Sequence, residues 1–341
     1  MALITGRSGN RNRNGIFLVL AALLAAVFVI SLGVGRFAIS PGELAGILLG
    51  RIDAGSMEAR VFLSIRLPRI AAAMLIGAAL SASGAAYQSV FRNPLVSPDI
   101  LGAAAGASFG AVLAFLLGWP KFAVLVCAFC CGLLGVALSA VAGARFSGRY
   151  RDGAVTLVLC GMVVTAVFSA FISGAKIVAD PYDELPTITF WLMGGLSYAA
   201  AEDVLIMAGP LLIGGIFLFL LRYRINVLSL PDEEVAALGI DAGRTRGAVV
   251  LCATLLTSAC VAVGGMIGWV GLIVPHIARL VVGPENSRLL PASLLIGASF
   301  LLVVDNFART LLSLELPLGV LTAAVGAPVF LFLLSRAGIR D

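Results

Sequence analysis

Residues 204–246 read VLIMAGPLLIGGIFLFLLRYRINVLSLPDEEVAALGIDAGRTR, and the change of character within this stretch decides the fold. Residues 204–221 carry no charge and are long enough to cross a bilayer as a helix. Residues 222–246 are rich in arginine and acidic residues, and another apolar run begins at Gly247. The polar segment therefore lies in water between two membrane crossings.

The centre of that polar segment, DEEVAALG at 232–239, has the pattern of a short amphipathic helix. Three acidic residues favour its first turn, and Gly239 suits the position just after its end. A membrane protein that displays an ordered helix in water has a surface to offer to a partner. We therefore predict that this segment is a docking surface.

The overall composition indicates a polytopic α-helical membrane protein. The chain has 341 residues, of which 60% are hydrophobic and only 12% charged, whereas soluble proteins carry roughly 25% charged residues. Its apolar runs are continuous and longer than membrane β-strands, and its 39 glycines allow helices to approach closely. The net charge of +5 comes from basic residues scattered at helix ends, which does not indicate nucleic-acid binding.

The apolar segments predict ten crossings in one transmembrane domain, 1–341. Residues 185–201 are short and contain two adjacent glycines, so we expect a partly inserted or interfacial helix there. Residues 247–282 are too long for one crossing and are expected to contain two. The other predicted spans are 16–34, 70–91, 100–120, 122–144, 153–175, 204–221, 289–304 and 316–335.

The distribution of lysine and arginine orients these crossings. With the N-terminus in the cytoplasm, fifteen of the 23 basic residues fall inside and eight outside, as the positive-inside rule favours. This orientation puts both termini, the tail at 1–15 and the polar segment at 222–246 in the cytoplasm. The outer arginines, among them Arg66, Arg69 and Arg309, need another explanation.

Two other classes of function lack their usual residues. The chain has no P-loop motif and a single histidine, His276, and its six cysteines fall inside apolar spans, so neither a metal site nor a catalytic site is expected. An ion-coupled secondary transporter needs ionisable groups within the membrane. Asp305 comes closest, but its spacing to Arg309 favours a local ion pair near a helix end.

Glycines recur every four residues at Gly102, Gly106 and Gly110. On a helix this spacing makes one face free of side chains. It predicts close contact with a neighbouring helix.

Several longer motifs together resemble one known family. They are IRLPR at 65–69, Gly84 with Gln88, RNPLVSPDILG at 92–102, GWVGLIVPHIAR at 268–279, Asp305 with Arg309, ELPLG at 315–319 and GAP at 326–328. In this order, and over nearly all of residues 16–336, they resemble the permease subunits of ATP-binding-cassette (ABC) importers for iron-siderophores, haem and cobalamin. The resemblance implies a type II ABC importer permease fold of about ten transmembrane helices.

The resemblance also implies partners. Such permeases work as homodimers with a translocation path between the copies, two cytoplasmic ATPase subunits and a substrate-binding protein outside. Members often have glycine where this chain has Pro231, a change that the first turn of a helix tolerates. The positions that the resemblance assigns to ATPase coupling are Leu230, Asp232, Glu233, Glu234, Ala237, Leu238 and Gly239.

For the outer face, the resemblance implies that Arg66, Arg69 and Arg309 bind acidic residues on the binding protein. Arginine suits that task because it stays charged and can bind a carboxylate through two nitrogens. The link at 145–153 resembles the cytoplasmic gate region, with Ala154 and Val155 near the constriction. Lys176 either attracts an anionic chelate into the path or anchors its helix at the membrane surface.

These inferences converge on an importer subunit of the bacterial inner membrane. We expect the chain to move a metal chelate, with a ferric siderophore or haem as the leading cargo and cobalamin or an oxyanion such as molybdate as alternatives. ATP hydrolysis would come from separate subunits, so this chain would need no cofactor and would not itself be an enzyme. The alternative class is an ion-coupled secondary transporter.

Overall fold

The computed structural model describes residues 8–146 and 153–337, and every regular element within these ranges is helical. A π-helical turn, Val61–Arg66, joins α3 to α4, and a 3-10 turn, Pro98–Leu101, precedes α5. The helices are α1 (Ser8–Gly33), α2 (Pro41–Leu48), α3 (Met57–Arg60), α4 (Leu67–Val90), α5 (Ala103–Leu116), α6 (Lys121–Phe146), α7 (Gly153–Val178), α8 (Glu184–Leu192), α9 (Ala201–Val227), α10 (Asp232–Ala237), α11 (Ala242–Gly264), α12 (Val270–Val282), α13 (Asn286–Thr310) and α14 (Leu318–Ala337).

The described helices account for ten apolar membrane helices, as predicted. Seven helical segments are long and apolar enough to cross a bilayer, and α5, α12 and the described apolar part of α14 are shorter. The apolar run after Gly247 does contain two helices, α11 and α12, separated by a break at 265–269. The segment at 185–201 holds only the nine-residue α8, which is too short to span.

One predicted span and one predicted helix face need a correction. The predicted span 100–120 is a 3-10 turn followed by a helix of 14 residues, because Gly102 adopts a left-handed conformation with φ of 86°. For the same reason Gly102 does not belong to the smooth helix face predicted with Gly106 and Gly110. The predicted first span, 16–34, agrees with the apolar stretch Gly15–Gly33 of α1, a helix that itself begins at Ser8.

Helix α4 forms the centre of the main bundle, packed among α9, α11, α12 and α13. Glycines bring these backbones into contact. A Cβ atom added to Gly84 would collide with the carbonyl of Gly271 in α12, and one added to Gly77 would collide with that of Gly297 in α13. Small residues thus take the place of a hydrophobic driving force in holding membrane helices together.

A smaller group of helices forms around α5 and α6. Gly106 and Gly110 face the carbonyls of Cys131 and Cys127 on α6, where a Cβ atom would collide with either. The close helix contact predicted for these two glycines is confirmed.

Helix α7 lies at the edge of this bundle and leaves much of its apolar surface uncovered. Val163, Phe171 and Ile177 are each more than half exposed. A surface of this kind faces lipid or another polypeptide.

Candidate functional sites

The polar segment between α9 and α11 folds as predicted around a short helix, α10. Pro231 occupies the position before Asp232, where its missing N–H costs nothing. The helix ends in a Schellman motif: Gly239, with φ of 74°, donates to the Ala236 carbonyl at 2.9 Å, and Ile240 donates to the Val235 carbonyl at 3.2 Å. Glycine is suited to this position because left-handed backbone penalises a Cβ atom.

One face of α10 is anchored and the other is open. Val235 is fully buried against the main bundle, together with Leu228 just before the helix. Leu238, by contrast, is 60% exposed. The other residues assigned to ATPase coupling, Leu230, Asp232, Glu233, Glu234, Ala237 and Gly239, are also exposed. We call these seven residues the coupling surface; it combines carboxylates with exposed leucines.

A basic pair that the sequence reasoning missed holds the start of α10. Arg92, at the end of α4, donates to the Asp232 carboxylate at 2.6 Å and to the Leu228 carbonyl at 2.7 Å. Arg246 approaches the same carboxylate at 3.3 Å. Partial burial raises the pKa of Asp232, but the hydrogen bond from Arg92 and the two positive charges outweigh it, so the net pKa lies below its usual range. The bonded form therefore dominates at neutral pH and is lost only in acid.

At the other end of α4, on the side predicted to face outward, a cluster of charged residues joins α4 to α13 and the loop after it. Arg69 donates to Asp305 at 2.9 Å and to Glu315 at 2.8 Å. Glu315 also accepts from Ser197. Burial raises the pKa of Glu315, but the bonds from Ser197 and Arg69 and the charge of Arg36 bring it below the usual value. We call Arg66, Arg69, Asp305, Arg309 and Glu315 the outer charge cluster.

The three arginines predicted to meet a binding protein are buried within this cluster. Arg66, Arg69 and Arg309 are 4%, 6% and 5% exposed. Arg66 donates to the carbonyls of Leu32 at 2.7 Å and Phe37 at 2.6 Å. Their guanidinium groups are thus bonded within this chain, and their role in docking stays a prediction.

The local ion pair predicted between Asp305 and Arg309 is confirmed, with the two groups 3.6 Å apart. Asp305 also has a closer partner, Arg69, at 2.9 Å. Arg309 donates in addition to the Ser31 carbonyl at 3.2 Å and to Asn306. The closer partner of Asp305 is therefore distant in sequence, which helical spacing could not reveal.

The residues predicted for the gate and the path all lie on α7. Ala154 and Val155 are in its first turn, and Val155 is 53% exposed. Lys176 is half-buried near its other end. Most of the predicted gate link, residues 147–152, lies outside the described residues.

The described residues place no three His, Cys, Asp or Glu side chains where they could share a metal ion. Of the six cysteines, Cys252 and Cys260 are buried and Cys130 is exposed on the helix surface. The chemistry available at the sites above is therefore that of ion pairing and surface contact.

A many-spanning helical bundle with one ordered polar helix between two crossings defines a membrane permease. The chain belongs to the FecCD transport family, which matches residues 23–336. This finding confirms the resemblance drawn from the sequence motifs.

Individual relatives differ in their cargo. The chain is 37% identical to the molybdate import system permease protein of Haemophilus influenzae, over 94% of this chain and 96% of that one. It is 39% identical to the Fe(3+)-citrate import system permease protein of Bacillus subtilis, over 93% of each chain. It is 36% identical to the vitamin B12 import system permease protein of Vibrio vulnificus, over 94% of this chain and 93% of that one.

A solved structure supports the fold. A metal-chelate type ABC transporter in an inward-facing conformation superposes with a TM-score of 0.86 at 36% sequence identity, covering 95% of this chain and 99% of that one. The type II permease fold is thereby confirmed. A second structure, of PsaBC from Streptococcus pneumoniae, shares the general fold with a TM-score of 0.54 at 13% identity.

Proposed function

We propose that this chain is the membrane subunit of an ATP-driven importer that carries a metal chelate, a ferric siderophore or haem first among them. The observation that carries the proposal is the coupling surface, an ordered and anchored helix whose exposed face combines leucines with carboxylates. Membership of the FecCD transport family and the solved metal-chelate type transporter support the same cargo class.

Molybdate is the second candidate cargo, and one observation favours it. The molybdate permease of Haemophilus influenzae aligns over 96% of its own length with this chain. Cobalamin stands third, supported by the vitamin B12 permease of Vibrio vulnificus. Selectivity among these cargoes would reside largely in a separate binding protein.

The assembly we propose is a homodimer with two cytoplasmic ATPase subunits and one substrate-binding protein on the outer side. The uncovered apolar faces of α7 and α14, the fifth and tenth crossings, are suitable surfaces for a second copy, with the path between them. Lipid would cover the remaining apolar surface. Both termini and α10 would lie in the cytoplasm of a bacterial cell, with the protein in its inner membrane.

The mechanism follows from the anchoring of α10. An ATPase that grips the exposed Leu238 side of α10 also moves the bundle, because Val235 on the opposite side is packed into it. Closure of two ATPase subunits would then rock the helices and expose the path to one side of the membrane at a time. Cargo released by the binding protein would enter between the copies of α7 and α14.

Reconstitution in liposomes tests the proposal. The chain would be purified with the ATPase and binding protein encoded beside it, and uptake of radiolabelled ferric chelate, haem, cobalamin and molybdate would be compared. We expect ATP-dependent uptake of a ferric chelate or haem and faster ATP hydrolysis when the binding protein is added. Molybdate uptake alone would favour the second candidate.

Two controls separate the alternative class. Uptake driven by a proton or sodium gradient without ATP would identify a secondary transporter and contradict the proposal. Leu238→Glu, which places a charge in the coupling surface, should abolish stimulated hydrolysis. The control variant is Tyr182→Glu, which introduces the same charge at an exposed position outside the spans and outside the coupling surface.

A further inference from the structure

The proposed mechanism requires that a movement of α10, which would bind the ATPase, also moves α7, which carries the predicted gate residues. These two helices are far apart in sequence. Within the described residues, the substantial helix contact of α10 is with α11, the next helix along the chain. Its polar contacts lead to two places, because Asp232 is bonded both to Arg246 in α11 and to Arg92 at the end of α4. The bond from Arg92 connects α10 to a different part of the molecule.

The guanidinium of Arg92 holds two points at the start of α10. Its Nη2 atom donates to the Asp232 carboxylate at 2.6 Å, and its Nε atom donates to the Leu228 carbonyl at 2.7 Å. Leu228 itself is fully buried. The two bonds use different nitrogens of one planar group, so they fix the position of the start of α10 relative to Arg92.

The backbone at Arg92 is itself constrained. Its φ angle is +51°, a left-handed conformation that is uncommon for residues other than glycine and asparagine. Asn93 then stabilises the following turn, since its side-chain oxygen accepts from the Leu95 N–H at 2.9 Å. The segment that leaves α4 is therefore tightly turned and carries Arg92 at its beginning.

That segment leads directly to α7. The 3-10 turn Pro98–Leu101 ends at Leu101, which is fully buried and whose carbonyl accepts from Ser139 at 2.9 Å. On α7, a Cβ atom added to Gly161 would collide with the Ile100 carbonyl and lie 2.7 Å from the Cα atom of Leu101. The turn and α7 are thus in direct backbone contact, and a shift of one displaces the other.

We propose that Arg92 is a positioning residue that transmits movement of α10 to α7 through the turn Pro98–Leu101. The proposal rests on the proposed function, because it assumes an ATPase that moves α10. The gate residues Ala154 and Val155 lie on α7 about two turns before Gly161, so a shift at that glycine reaches them through the helix.

The bond suits transmission better than it suits stability. The side chains of Arg92 and Asp232 are 37% and 56% exposed, and an exposed ion pair contributes little to folding. Docking of an ATPase on the coupling surface would cover the pair and strengthen it, since charges attract more strongly when water is excluded. Removing Arg92 should therefore leave the fold intact and impair coupling.

The test uses the full permease in nanodiscs with its ATPase subunits. Val155→Cys is introduced in a background whose six native cysteines are replaced, and its labelling by a maleimide is timed with and without ATP and vanadate. We expect ATP to change this rate several-fold in the parent. In Arg92→Asn, which keeps a residue that tolerates positive φ, the change should fall to less than a third while ATP hydrolysis stays within twofold.

A matched control removes a comparable bond that does not lead to α7. Arg288 pairs with Glu285 at 3.4 Å, and their side chains are 33% and 45% exposed. Arg288→Asn should retain the full labelling response. Asp232→Ala combined with Arg92→Asn should lose less than the sum of the two single variants, because they share one bond, although Asp232 also meets Arg246 and Arg92 also meets Leu228.

The outcomes distinguish a failure of the role proposed for Arg92 from a failure of the proposed importer function. A full ATP-dependent change in Arg92→Asn, or losses that add up in the double variant, would overturn the role of Arg92 and leave the importer intact. If the parent itself shows no response to ATP, the proposed function fails. If Arg92→Asn does not assemble, Arg92→Lys tests the same point. A lysine cannot hold the Asp232 carboxylate and the Leu228 carbonyl together in the fixed geometry of a guanidinium group, so this variant should show a reduced labelling response.

Discussion

At the scale of single residues, Asp305 illustrates how the outer charge cluster is held together. It is fully buried and lies between Arg69 and Arg309, themselves almost completely buried. Burial of charges is costly, and the attraction between them offsets that cost only while every partner is present. The cluster therefore behaves as a unit in which the loss of the Asp305 carboxylate leaves Arg309 without an ion-pair partner and Arg69 with Glu315 alone.

We expect Asp305→Ala to destabilise the protein by about 3–5 kcal/mol, because it leaves the buried Arg309 unpaired and removes one of the two carboxylates that bind Arg69. The double variant Arg69→Leu with Asp305→Leu should lose less, since it removes both charges. Unfolding in detergent, followed by intrinsic fluorescence, measures both. Glu285→Ala, which breaks an exposed pair, is the control and should change little.

The role of the outer arginines in docking is a separate prediction. Arg66→Glu should weaken binding of the substrate-binding protein, and the loss should depend on salt because the attraction is electrostatic. Arg66 also bonds to the Leu32 and Phe37 carbonyls, so folding must be checked in the same sample. Arg60→Glu, at an exposed position outside the cluster, is the control. Unchanged affinity in nanodiscs of correctly folded Arg66→Glu would contradict the prediction.

At the scale of elements, the coupling helix α10 depends on its ends more than on its length. Six residues cannot form a stable helix alone, because nucleation is unfavourable. The Schellman motif at Gly239 satisfies its last carbonyls, and the bonds from Arg92 to Asp232 and Leu228 fix where the helix starts relative to α4. Buried Val235 then attaches it to the bundle.

Gly239→Ala should therefore loosen α10 and reduce ATPase stimulation. Placing a Cβ atom at left-handed φ costs roughly 1–2 kcal/mol. Gly239→Asn should retain more activity, because asparagine tolerates that conformation. Gly247→Ala, a helical position with open space around it, is the control. Stimulated ATP hydrolysis by the assembled complex distinguishes these variants, and equal activity of all three would contradict the argument.

At the scale of the whole molecule, α7 is one of three spans, with α1 and α9, that the described part of the chain leaves mostly uncovered. Its apolar face is largely exposed, while α4 and α11 are buried by their neighbours. In the proposed homodimer, a second copy of the chain would cover part of α7 and complete the translocation path. Lys176, half-buried near the end of α7, would then lie near the entrance of that path.

If Lys176 attracts an anionic chelate into that path, Lys176→Ala should reduce uptake several-fold and leave ATP hydrolysis intact. Lys176→Arg, which keeps the charge, should preserve uptake. Transport in liposomes measures both. Equal uptake by Lys176→Ala and the parent would support the simpler role of a membrane-surface anchor.

The orientation of the molecule can be tested directly. A cysteine in place of Leu238, in a background free of native cysteines, should react with an impermeant maleimide only in inside-out vesicles. Tyr182→Cys, at an exposed position before α8, should react only from the opposite side. Labelling of position 238 from outside would overturn both the topology and the proposed coupling.

The sequence by itself determined the class of protein, the number of crossings and the short helix α10. These follow from local properties: the length of an apolar run, an amphipathic pattern and a glycine just after a helix end. Each acts over a few residues, so Asp232 and Gly239 could be placed at the start of α10 and just after its end without knowing what surrounds them.

Only the tertiary structure decided which distant groups meet. Asp305 and Arg69 are separated by 236 positions, and Arg92 and Asp232 by 140, so no local spacing pointed to either pair. Helical spacing pointed to Arg309 as a partner of Asp305 but not to Arg69, and the motif that begins at Arg92 did not indicate that this arginine bonds to Asp232. Burial of the outer arginines likewise depends on loops that fold over them, because the environment of a charge is set by the packing of the whole chain.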